Sequence, residues 1–136
     1  MARSIVAVVV GFLVIGLLAF GTGMAVHAAF PNLVDANGAT SSTAVCVATL
    51  LYVGVYATFG CWLAARLAPS HPMRHALILG VLGLLFNIMG AWMSWGTVPA
   101  WYTVAGVLTT MLWAWLGGAI RERQLAAPRT PAMAAA

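Results

Sequence analysis

The chain has no lysine, and its only acidic residues are Asp35 and Glu122. Charged residues make up 6% of the 136 residues, against about 25% in a soluble domain. So small a charge complement cannot cover a globule in water, and a water-soluble fold is excluded. Carboxylates are too few for acid–base work, and there is no HExxH, no CxxC, no phosphate-binding loop and no Ser-His-Asp order. Catalysis is not expected. No charged residue falls inside an apolar run, whereas ion-coupled transporters place such a group near the bilayer midplane. Coupled transport of that kind is therefore disfavoured as well. The six basic residues, all arginine, are scattered, so the sequence pI near 9.8 does not indicate a nucleic acid partner.

What remains is apolar: 63% of the residues are hydrophobic and the mean hydropathy is +1.00. At 14.2 kDa the chain has room for one small helical bundle, because each spanning helix uses roughly 20 residues. The expected fold is an all-α membrane protein, a four-transmembrane-helix antiparallel bundle forming a single domain over residues 1–120. The first apolar run, 5–28, is about 36 Å long as a helix, enough to cross a hydrocarbon core of roughly 30 Å. Val26-His27-Ala28 also reads as the cleavage site of a secretory signal, but the apolar stretch is longer than such signals carry, and a retained span is expected.

A breaker-rich loop with Pro31, Asn32, Asp35, Asn37 and Gly38 follows, and Thr40 to Thr43 offer caps for a second span over 43–67. Ser70 or His71 can cap the third span, 73–95, with Pro72 in its first turn. Gly96-Thr97-Val98-Pro99 then supplies a breaker, a cap and a first-turn proline before a fourth span over 100–120. Residues 121–136 read as a cytoplasmic tail with no core to join. Arg3, Arg66, Arg74, Arg121, Arg123 and Arg129 all fall on one side of this arrangement. Because cytoplasmic flanks carry the arginines, both termini are expected inside, in a plasma membrane of the bacterial inner-membrane type. Phe30, Trp92, Trp95, Trp101 and Tyr102 then mark one interface, and Trp62, Trp113 and Trp115 the other.

Counting depth along each span at about 1.5 Å per residue brings Tyr52, Tyr56, Asn87, Thr109 and Thr110 near the midplane. Two readings of this polar layer stand side by side. In one it is a site for a small polar solute or a cofactor carbonyl, with Asn87 donating. In the other the groups hydrogen-bond one another between helices. Ala7/Gly11, Ala19/Gly23 and Gly60/Ala64 are spaced four apart, with Gly80, Gly83 and Gly90 on the third span, and such spacing lets helix backbones approach closely.

His27 near the end of the first span is a candidate axial ligand for a pigment or haem iron, although no cofactor is required by the sequence. Arg66, Arg74 and His75 form a candidate site for an anionic lipid headgroup. His71 and His75 lack acidic or thiol neighbours and make a weak metal site. Cys46 and Cys61 are about 22 Å apart along one helix and cannot pair. The leading functional expectation is a non-catalytic accessory or scaffold subunit that packs within a larger membrane assembly or self-associates. The alternatives are a small homo-oligomeric channel or carrier and a pigment- or haem-binding subunit.

Overall fold

The computed structural model describes residues 2–35 and 39–127. They form four helices, α1 (Ala2–Ala29), α2 (Thr43–Leu67), α3 (Pro72–Met93) and α4 (Ala100–Ala126). Each is long and apolar enough to cross a membrane. Among the described residues there is no strand, only an isolated bridge between Trp95 and Val98 in the α3–α4 connection. Asn37, Gly38, Arg129 and the rest of 128–136 lie outside the described residues.

The connections follow from their breakers. His71 takes a left-handed conformation (φ 47°) as the residue that opens α3, and Pro72 occupies the first turn, where a missing N–H leaves no bond unmade. Gly96 adopts φ +86°, a conformation that costs a glycine nothing. Pro99 stands one position earlier than expected, at the N-cap of α4. The loop after α1 is tied internally: Thr40 Oγ1 donates to Leu33 O at 2.6 Å and accepts from the Ser42 amide at 3.1 Å. Thr40 thereby closes a turn just ahead of α2, while the Ser42 side chain at the N-cap makes no capping bond. α4 also departs from expectation, continuing to Ala126 rather than stopping at Ile120. From α2, Trp62 Nε1 donates to Gln124 Oε1 of α4 at 3.0 Å, so the start of the expected tail has a partner on the bundle.

Successive helices run antiparallel. α4 packs along both α2 and α3, and α1 packs along α2 and less extensively on α3; the backbones of α1 and α4 do not approach each other closely. One end of the bundle carries Arg3, Arg66, Arg74, Arg121 and Arg123 and is called here the arginine end. The other carries the α1–α2 and α3–α4 connections and no arginine among the described residues.

The core lies toward the arginine end. Cys61, Ala64, Ala65, Ala76, Leu79 and Ala114 form one buried cluster, with Val8, Phe12 and Ile15 of α1 packed against it. Its side chains are small, which lets the helix backbones approach closely and gain dispersion contact, the kind of packing that associates apolar helices in lipid. Gly11 and Gly60 face each other so closely that a methyl on Gly11 would stand 2.7 Å from the Gly60 carbonyl oxygen. Gly80 abuts Ala114 in the same way on the α3–α4 side. Nearer the other end the contacts change kind, with Phe12 meeting Phe86 at 5.1 Å between ring centroids. From there outward the helices part and leave space.

Candidate functional site

That space is a cavity of about 440 Å³ walled by all four helices. Its floor is the core itself, since Cys61, Leu79 and Ala114 belong to both. The lining is mostly apolar, with Phe12, Ile15, Leu50, Val53, Phe86 and Trp113 among the walls. The polar groups are few: Asn87, Thr49, Tyr102, Thr103, Thr109 and Thr110 are the main ones, and no charged side chain takes part. A concave, largely apolar space with a small number of placed polar groups is the usual form of a small-molecule site.

Asn87 is its most informative residue. Its amide nitrogen donates to Thr110 Oγ1 at 3.1 Å and to Gly106 O at 3.4 Å. Thr110 in turn donates to Gly106 O at 2.7 Å. A backbone carbonyl only accepts, so the Gly106 oxygen fixes which way the Asn87 amide turns. Thr110 Oγ1 and Gly106 O stand side by side, so a single amide hydrogen is shared between them, and the second amide hydrogen and the carbonyl oxygen of Asn87 are left to offer. Asn87 therefore keeps a donor as well as an acceptor, and the reading in which it donates to a solute or cofactor carbonyl stands beside one in which it accepts.

The five-residue polar layer is not one site. Asn87 and Thr110 meet between α3 and α4, while Tyr56 reaches the other way and shares a 3.0 Å hydrogen bond with Thr22 of α1. Thr109 donates to Ala105 O on its own helix at 2.7 Å, although it also lines the cavity. Tyr52 lies beside Tyr56 with the rings tilted, centroids 5.7 Å apart, and lines a second cavity instead. Thr22 escapes a depth count because it lies away from the centre of its helix. Only the packing of α1 on α2 brings it to Tyr56.

The second cavity, about 390 Å³, lies at the end without arginines. It is lined by Phe20, Met24, His27, Asp35, Thr40, Thr49, Tyr52 and Tyr102, among others. Thr49 and Tyr102 wall both cavities. Tyr102 was expected in an interfacial aromatic belt, and instead turns into the bundle. Trp92, 84% exposed, and Trp95 stay on the outer surface at the end without arginines. Trp113 also leaves its expected place at an interface, because it sits mid-helix against Gly54, which has no side chain to obstruct the indole.

His27 Nδ1 lies 3.0 Å from Val34 O and ties the end of α1 to its loop. His71 and His75 stand at the opposite end, so neither imidazole faces His27. Among the described residues no group of three His, Cys, Asp or Glu is placed to hold a metal. The Arg66 guanidinium lies over the Trp62 ring at 5.2 Å, and His75 Nδ1 is 3.2 Å from His71 O. Cys46 and Cys61 are both buried and free. Comparison with protein-family models, curated proteins and solved structures gives no match, so the site stands on its own geometry.

Proposed function

We propose that the chain is a non-catalytic integral membrane protein that works by binding, holding a small, largely apolar molecule in the Asn87 cavity. The observation that carries this reading is Asn87, an amide held between α3 and α4 by one shared hydrogen and lining a cavity without charged side chains, with the rest of its hydrogen-bonding capacity unused by the helices. The part of the ligand seated there is uncharged, because a charge without a partner in such surroundings is costly. It offers a hydroxyl, an N–H or a carbonyl to Asn87. This corresponds to a carrier or binding protein rather than to an ion channel.

The test is extraction and mass analysis of the chain purified in mild detergent. A small molecule present near one per chain, and lost in Gly83→Phe, supports the reading. Gly83 lines the cavity, and a side chain starting there meets only Thr110, at 3.7 Å, so the phenyl ring fills the space. A cavity that yields no such molecule from any preparation counts against it.

A second reading, a subunit packed within a larger membrane assembly or self-associating, is favoured by α1. Leu13, Leu17, Phe20 and Met24 are exposed along it, and Gly23 of the Ala19/Gly23 pair meets nothing within 4 Å. Native mass analysis in mild detergent decides it: a defined larger species supports the subunit, and a clean monomer sinks it. Both readings carry the same topology, with the arginine end cytoplasmic. An impermeant thiol reagent added outside intact cells labels Thr97→Cys and spares Arg66→Cys under that topology; the reverse pattern overturns it.

A further inference from the structure

We propose that the Asn87 cavity opens sideways into the bilayer through a window between α1 and α3, and that its ligand is an uncharged lipophile taken up from the hydrocarbon. The inference rests on the binding reading above and adds the route of entry and the class of molecule. Four helices around a cavity share four edges. Three of these are closed by extensive packing, α1 on α2, α2 on α4 and α4 on α3, whereas α1 and α3 meet sparsely. The lining divides in the same way. Among the described residues, every lining residue of α2 and α4 is buried or half-buried, and the exposed ones, Gly16, Phe86 and Gly90, all belong to α1 and α3. A side chain built on Gly16 or Gly90 meets nothing within 4 Å, so no neighbour fills either side of the gap.

α1 also leaves the wall early. It lines the cavity only from Phe12 to Gly16, while α3 lines it from Leu79 to Ser94, a length of about 22 Å at 1.5 Å per residue. Phe12 and Phe86, ring centroids 5.1 Å apart, form the sill from which the window rises. Gly16 and Phe86 lie mid-helix, so in a membrane the gap faces hydrocarbon rather than water. A charged group crossing it would lose its hydration without gaining a partner. Depth narrows the class further. Ser94 closes α3 at its surface end, and Asn87 lies about 10 Å deeper along the helix. A phospholipid holds its polar groups at the surface, so only its bare chain would reach Asn87 and the spare donor and acceptor there would stay unmet. A lipophile carrying its own hydroxyl, N–H or carbonyl meets them.

The test uses the full chain in nanodiscs of phosphatidylcholine brominated at mid-chain, since bromine quenches tryptophan on contact. An empty cavity with an open window admits a lipid chain, so 4-phenylbutanol is expected to relieve the quenching of Trp113, the tryptophan of the lining. Gly83→Phe, with its cavity filled, gives the background. Gly16→Phe, which sets a ring in the window, is expected to reproduce the relief without the alcohol. In unbrominated discs, with affinities expressed on mole fraction in the bilayer, 4-phenylbutanol is expected to bind about tenfold more tightly than butylbenzene, which lacks the hydroxyl. Alcohol binding without relief, or quenching unchanged in Gly16→Phe, overturns the window and leaves the cavity reading intact. Equal affinity for butylbenzene overturns the ligand class and makes a bare hydrocarbon chain, such as that of a phospholipid, the occupant. Saturable binding of neither probe overturns the cavity reading itself.

Discussion

Toward the arginine end Gly11 meets Gly60 and Gly80 meets Ala114 with no room for a methyl group, whereas Gly16, Gly23 and Gly90 face nothing within 4 Å. The first set brings helix backbones together. Of the second, Gly16 and Gly90 wall the larger cavity and Gly23 the smaller. One residue type thus serves contact in one half and empty space in the other. The sealed half fixes the helices relative to each other through dispersion at short range. The open half can then hold space between them without collapsing. Polar residues divide the same way, since Asn87, Thr109, Thr110 and Tyr102 all look onto a cavity and none belongs to the core cluster.

The contrast between halves is open to direct attack by substitution, read as unfolding free energy in bicelles. The largest expected effect is at Gly60→Leu, where even the first added carbon meets Ile15 and the Gly11 carbonyl. Overpacking of that kind is expected to cost about 3 kcal/mol, and a cost below 1 kcal/mol would mean that the α1–α2 contact is not the tight seam described. Asn87→Leu removes the amide hydrogen shared between Thr110 and Gly106. At about 0.6 kcal/mol on average and up to about 1.7 kcal/mol for an interhelical bond in a membrane, the loss is expected near 1 kcal/mol, together with at least a tenfold loss of 4-phenylbutanol binding. Stability loss with unchanged binding would assign Asn87 to packing alone.

Tyr56→Phe gives up only the bond to Thr22, an expected loss of about 0.6 kcal/mol, with probe affinity unchanged because Tyr56 lines neither cavity. A change in probe affinity would place Tyr56 in the site after all. The smallest effect carries the opposite sign. Gly90→Ala adds a methyl where nothing stands within 4 Å and gains helix propensity, so a stabilisation of about 0.5 kcal/mol is expected. Destabilisation there would show that the half described as open is packed.

The helices were legible from the charges, because eight charged residues confined to the ends of apolar runs leave few ways to thread a bilayer. Their ends were legible from Pro72 and Gly96, which break helices for local reasons. The site was legible only as a set of depths. Position along a helix does not say which way a residue faces, so Tyr56 and Asn87 shared a layer by depth while bonding to different partners. Tyr102 shows the same limit, since an aromatic residue at a helix end suits an interface and a cavity wall equally well until the neighbouring helix is placed.

Composition and charge by themselves determined a chain of four long apolar helices, turned at prolines and glycines, with its arginines gathered at one end. Those properties are local or one-dimensional, and a sequence carries them directly. Which glycines seal and which leave space, that Asn87 keeps hydrogen-bonding capacity on a cavity wall, and that two cavities share Tyr102 were decided by the tertiary structure alone. Each depends on the rotation of one helix against another. That rotation is set by interdigitation along the whole seam, not by any residue read alone.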